Sequence, residues 1–287
     1  VSDLYHIVRL ANGAFSLRSE AYGETFHPVI GPAAEAQALY VEQLDLVRRV
    51  QESRNEFVVW DVGLGGAANP LTFLRAIRNV EKKVKIISFD YTLEPLQLAL
   101  KHSNVLTYLN GWETTLRELL HHGHAAFSSS GGLELDWQLH LSDFPSLLKS
   151  HAAATFPKAH AIFFDAFSPA TNPSMWTLDV FSSLYQLLDP NRLCLMPTYS
   201  RSTMLRVTLL LAGFFVGKGH STGEKEETTI AANLREGIIS PLDHQWLIRC
   251  KRSRSAEPLV TPEYRQSPIS ESSWQKLSAH PQFCCNL

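Results

Sequence analysis

The sequence predicts an α/β fold built on a mostly parallel sheet. From Glu56 onward, short apolar runs rich in Val, Ile, Phe and Trp alternate with segments of helical period. A glycine turn, Gly63-Leu64-Gly65-Gly66, sits between the first such run and the first such helix. Four acids, Asp61, Asp90, Asp143 and Asp165, stand at the carboxyl ends of predicted strands, where open α/β sheets bind ligands.

The bulk numbers bound the rest. A chain of 287 residues with 45% hydrophobic and 19% charged residues is long enough and apolar enough for a full core. A formal net charge of −2 supplies no global positive field, so any nucleic-acid contact must come from local patches. The cysteines Cys194, Cys250, Cys284 and Cys285 form no Cys-x-x-Cys pair, which argues for reduced thiols and against a metal site. No basic segment followed by an apolar run opens the sequence, and Val207 to Gly217 is too short to span a bilayer. The expectation is a soluble, cytoplasmic protein without a membrane partner.

Taken in order, residues 4–10 and 14–18 flank Ala11-Asn12-Gly13, a hairpin signal. A loop through Tyr22-Gly23-Glu24-Thr25-Phe26-His27-Pro28 follows, then helical spacing from Ala33 to about Val50. Residues 1–55 are therefore a hairpin-helix extension. Residues 56–250 carry the α/β pattern: strands at 57–62 and 84–90, the alternating run 135–141, then strands at 162–165 and 193–196. Two late strands, 214–216 and 228–232, are placed to pair antiparallel. Asn69-Pro70 reads as an N-cap and first-turn proline. Residues 105–132 read as an insertion with a helix at 113–120 and a flexible Ser128-Ser129-Ser130-Gly131-Gly132. After Cys250 the composition shifts to Lys251-Arg252-Ser253-Arg254 and a Ser/Pro-rich tail, 251–287.

The chemistry follows from these positions. Gly63, Gly65 and Gly66 would let backbone approach a ligand at a helix N-terminus, although a bare glycine turn is also ordinary punctuation. Asp90, ending the second strand, is where Rossmann-like folds hold ribose hydroxyls, since a carboxylate accepts from both. Asp143 is placed either for an adenine amino group or as a helix N-cap. Together with Asp61 these acids suit a ligand with a ribose, an amino-bearing base and a cationic centre, as in S-adenosylmethionine. They would repel the pyrophosphate of a dinucleotide, and Ala68 breaks the G-x-G-x-x-G pattern. Asp165 opens a Pro-punctuated turn and is the candidate catalytic acid, oriented to accept a hydrogen bond from an amine. Phe167 and Trp176 are candidate walls for a planar substrate or a sulfonium, or ordinary core aromatics.

At these residues the chain resembles the methyltransferase domain of MnmC, the bifunctional tRNA 5-methylaminomethyl-2-thiouridine biosynthesis protein, and its single-domain relatives. The match rests on Asp165-Ala166-Phe167-Ser168-Pro169 with Asn172-Pro173 and Met175-Trp176. Gly23-Glu24 with His27, Glu35, Gly63-Leu64-Gly65, Asn69 and Gly223-Glu224-Lys225-Glu226-Glu227 support it, and it runs from about residue 13 to 235. Ala67 stands where the family's loop carries its third glycine. The resemblance implies a Rossmann-like class I methyltransferase with a mostly parallel seven-stranded sheet. It implies S-adenosylmethionine as cofactor, with Asp61, Gly63, Gly65, Gly66, Asn69, Asp90 and Asp143 as cofactor-binding candidates. Glu24, His27, Glu35, Phe167, Pro169, Asn172 and Trp176 become substrate-binding candidates. The implied acceptor is the amine of 5-aminomethyl(-2-thio)uridine at the tRNA wobble position. No FAD is expected in this chain, so a separate enzyme is expected to supply the aminomethyl substrate. Arg48, Arg49, Arg75, Arg78, Lys82, Lys83 and residues 251–254 are candidate RNA contacts. Two other readings stay open: methylation of a non-tRNA amine, favoured by the weak charge, and a non-catalytic binding protein that keeps the fold.

Overall fold

The computed structural model describes residues 4–222 and 226–284, which divide into two compact units. The first comprises the chain up to Phe144, together with Ala161–Asp165 and residues 220–226.

In the first unit, β1 (Tyr5–Arg9), β2 (Phe15–Ser19) and β3 (Glu24–Thr25) form an antiparallel sheet in that order. Gly13 turns the hairpin at φ +87°, a conformation that favours glycine, and Leu10 N–H donates to Ala14 O across it. The helical stretch breaks into Pro32–Ala36, a π-helical segment Gln37–Glu42, and Leu46–Glu52. Asp45 separates the last two with a left-handed backbone, φ 48°.

The main strands of this unit are β4 (Phe57–Val62), β5 (Lys82–Asp90), β6 (His124–Ser128), β7 (Leu133–Leu141) and β8 (Ala161–Phe164). Their order is β8-β4-β5-β7-β6, and every neighbouring pair is parallel except β6 with β7. All six β4 residues are buried, as expected for a parallel strand covered on both faces. Phe163 packs against Tyr40 and Phe73, and Trp60 against Phe89. Each such buried ring contributes about 1.5–3 kcal/mol of transfer free energy.

In the second unit, β11 (Thr228–Ala232) pairs antiparallel with both β9 (Leu195–Thr198) and β10 (Phe215–Gly219). The antiparallel pairing of the two late strands is thus as the sequence suggests. Helices Leu178–Gln186, Thr203–Leu211, His244–Lys251 and Glu271–Ser278 accompany them. Gln282 bonds Val216 N–H, Val216 O and Leu242 O, so the region read as a tail is fastened to β10.

Three details differ from the sequence reading. Eight strands carry the α/β part among the described residues, five in one unit and three in the other, against seven expected. The additional one is β6: the supposed flexible Ser/Gly segment is the tight turn that joins β6 to β7, with Gly132 at φ +87°. The helix after the glycine turn begins at Ala68 with Ala67 as its N-cap, so Asn69 lies inside it and does not cap it.

Candidate active site

Asp61, Asp90 and Asp165, at strand ends of the first unit, meet around the glycine turn. Gly63 (φ +92°) donates its N–H to Phe89 O, tying the turn to β5. Gly65 donates to Asp90 Oδ2 at 2.9 Å, while Asp90 Oδ1 accepts from Tyr91 N–H at 2.8 Å and Thr92 N–H at 3.2 Å. Burial pushes the Asp90 carboxyl up, and these three amides pull it partly back. The turn is roofed by the N-terminal sheet: a Cβ on Gly66 would lie 2.6 Å from Leu17 Cδ1 and 2.7 Å from Tyr108 Oη. A Cβ on Gly65 would lie 2.9 Å from Phe26 Cε2. A side chain at Gly65 or Gly66 would have to displace these packed groups, so protein packing alone accounts for both glycines.

Asp61 near the end of β4 is completely buried. Its Oδ2 accepts from the Ser88 hydroxyl at 2.7 Å, and Oδ1 has no partner. Burial raises its pKa to about 7, opposed by the Ser88 bond and reinforced by the charges of Asp165 and Asp90.

Asp165 follows β8 directly, and its own N–H still bonds Val62 O of β4, so its position is set by the sheet. Asn69 Nδ2 donates to Asp165 Oδ2 at 2.8 Å, and His27 Nε2 lies 3.4 Å from the same oxygen. His27 Nδ1 in turn lies 3.9 Å from Glu35 Oε2, and all three ionisable side chains are at most 14% exposed. Asn69 Oδ1 is buried without a partner. Two orphaned buried acceptors beside three carboxylates fit a cationic ligand bearing N–H or O–H donors.

The other candidates are placed as follows. Glu24 lies on β3, half-buried, and Asp143 is exposed just before the helix Phe144–Leu148. In the second unit Trp176 is 1% exposed and donates its indole N–H to Phe167 O at 2.7 Å, edge-on to Phe181 and Tyr199. Pro169 is buried, and Asn172 accepts from the Ser174 hydroxyl. Of the segment 223–227, residues 223–225 lie outside the described residues, as does Cys285. Glu227 is held by Arg206, itself almost fully buried. The described cysteines form no disulfide with one another, and no group of three His, Cys, Asp or Glu among the described residues is arranged for a metal ion. No helix among them is long and apolar enough to cross a membrane.

Residues 109–234 match a family described as S-adenosyl-L-methionine-dependent methyltransferase. The chain is 28% identical over 208 residues to the tRNA 5-methylaminomethyl-2-thiouridine biosynthesis bifunctional protein MnmC of Burkholderia vietnamiensis. That alignment covers 69% of this chain and 31% of the relative. The protein of that name from Burkholderia multivorans is 27% identical, over 69% of this chain and 30% of its own. Among solved structures, MNMC2 from Aquifex aeolicus superposes with a TM-score of 0.68 at 25% identity, over 96% of this chain and 84% of that one. The chain is an MnmC-like methyltransferase. As an MnmC-like methyltransferase it uses S-adenosyl-L-methionine. The chain spans just under a third of the length of the curated relatives it matches. Spermidine synthase from Thermotoga maritima (TM-score 0.50, 11% identity, covering 96% of this chain and 85% of that one) shares the fold.

Sequence reasoning missed Ser88, Trp137, Tyr108 and Phe26, which hold Asp61 and roof the glycines. Ser88 and Trp137 sit inside strands, where only the register shows what a polar atom faces.

Proposed function

We propose that this MnmC-like methyltransferase transfers a methyl group to the amine of 5-aminomethyl(-2-thio)uridine at the tRNA wobble position. The relatives carry tRNA 5-methylaminomethyl-2-thiouridine biosynthesis in their names. The observation that carries the reading to an amine is at Asp165: Asn69 and His27 both engage Oδ2, leaving Oδ1 for an N–H donor. Asp61, Gly63, Gly65, Asn69 and Asp90 are assigned to the cofactor, and His27 and Glu35 to the acceptor side.

When bound, S-adenosyl-L-methionine supplies an electrophilic methyl on a sulfonium. What the chain must do is position an amine in line with it and leave the lone pair free. Asp165 accepts a hydrogen bond from the amine through Oδ1, which orients nitrogen and stabilises the positive charge that develops there. His27 and Glu35 lie behind Asp165 and offer a route for the displaced proton away from the acceptor. Asn69 holds the carboxylate still throughout. A separate enzyme that installs the aminomethyl group and a cytoplasmic location accompany this reading.

Labelled methyl transfer to tRNA bearing 5-aminomethyluridine, against the same tRNA lacking it, tests the proposal. Incorporation only into the aminomethyl form is expected; incorporation into neither rejects the tRNA acceptor. One observation favours a second acceptor, a small non-tRNA amine. Several basic residues suited to RNA are already engaged: Arg48 with Asp45 and Glu52, Lys83 with Glu134, Lys82 with Ser53 O, and Arg75 with Asn110 O.

A further inference from the structure

Asp61 is the end of a hydrogen-bonded chain that runs through three strands. The parallel register sets Asp61 of β4 opposite Ser88 of β5, and Trp137 comes from β7 beyond it. Trp137 is 0% exposed and its indole N–H reaches Ser88 Oγ at 2.9 Å. An indole nitrogen is a donor only, so Ser88 must accept from Trp137 and give its own proton to Asp61 Oδ2. The direction of the chain is fixed by chemistry. It leaves Asp61 Oδ1 as a buried acceptor with nothing to accept from.

We propose that Trp137 and Ser88 are positioning residues for the cofactor: by occupying Asp61 Oδ2 they reserve Oδ1 for a donor on the cationic ligand, and Asp61 gives up a proton as that ligand binds. The proposal rests on Asp61 belonging to the cofactor site. Three carboxylates share that space, and the charges that reach Asp61 are those of Asp165, at the end of β8, and Asp90, at the end of β5. Asp165 is offset by Asn69 and His27, and Asp90 by the amides of Gly65, Tyr91 and Thr92. On Asp61 itself only Ser88 acts against burial. Without ligand, a fraction of the Asp61 side chains carries a proton near pH 7. Arrival of a positive charge with its own donor reverses that: the O–H bond of Asp61 breaks, the proton passes to buffer, and the ligand's donor takes its place.

The test is titration calorimetry of the full chain with S-adenosyl-L-methionine from pH 6 to 8, in two buffers of different ionisation enthalpy. The wild type should release a fraction of a proton per ligand bound, largest below about pH 7 and diminishing above it, with affinity rising up to about pH 7 and levelling off beyond. Ser88→Ala should move that midpoint upward and weaken binding at pH 7 by about tenfold, the scale of a hydrogen bond to a charged group. Trp137→Phe keeps an aromatic ring, though a smaller one, removes the donor and should shift the midpoint in the same direction by less. Asp61→Asn should abolish the proton release. Binding by the wild type without proton release overturns the proposal, as does a Ser88→Ala midpoint unchanged in a folded protein. Absence of any wild-type binding overturns instead the assignment of the cofactor site on which it stands.

Discussion

At the scale of single residues, the site is a set of polar groups held in positions they would not choose alone. His27 has φ +48° and precedes Pro28, an uncommon backbone for a residue that is not glycine. Asparagine tolerates that region, so His27→Asn should melt within a few degrees of wild type while methyl transfer falls by about tenfold or more. Unchanged turnover would remove His27 from the acceptor side. Asp61 adds a pH effect of definite sign. Its folded pKa, about 7, lies above the ordinary 3.8, so its contribution to stability is greatest below pH 3.8 and is lost as pH rises towards 7. The ligand-free melting temperature of Asp61→Asn should therefore change less between pH 5 and 8 than that of wild type. The strand-end acids were legible because an apolar run that stops on a carboxylate has few other meanings. His27's backbone, and the Trp137-Ser88-Asp61 chain, were not: neither φ nor strand register is written in residue types.

At the scale of elements, the glycine turn shows what one substitution does. Ala67 occupies the third glycine position of the family's loop and takes φ +63°, fully buried, as the N-cap of Ala68–Ala76. That left-handed conformation costs about 1–2 kcal/mol for an L-residue. Glycine would relieve this but lose more chain entropy, so Ala67→Gly should stabilise the protein by no more than about 1 kcal/mol in urea denaturation. Clear destabilisation would contradict the strain at Ala67. Asn69 illustrates a boundary error with a chemical cause. Asn-Pro looks like a cap, yet with Ala67 turning left-handed the helix starts earlier and the amide is spent on Asp165. The strand β6 was hidden because five residues between Gly123 and a Ser/Gly turn carry too little apolar pattern to stand out from a loop. Near the C-terminus, His280 is buried, with its pKa lowered to about 4, and its Nδ1 accepts from Gln282 N–H. Stability it supplies is complete above pH 6.5 and lost as pH falls towards 4, a loss that His280→Gln should reduce in acid melts.

At the scale of the whole molecule, the alternation of strands and helices was readable because buried parallel strands are continuous apolar runs. The antiparallel pairing of β10 with β11 followed from their closeness in sequence. The acceptor was less readable, since charge composition alone does not say which cations are already paired. Exposed Arg252 and Arg254 form no ion pair with an acid among the described residues, unlike Arg48 and Lys83. If they meet phosphates, replacing both with alanine should weaken tRNA binding and flatten its salt dependence by up to about two units of log-log slope. In the proposed reaction Asp165 orients an acceptor amine beside S-adenosyl-L-methionine. The direct test is single-turnover transfer of labelled methyl to aminomethyl-bearing tRNA by wild type and Asp165→Asn, with cofactor affinity measured on the same samples. This role for Asp165 requires transfer slowed by at least about tenfold with affinity for the cofactor changed little. Equal transfer rates in the two proteins would contradict it.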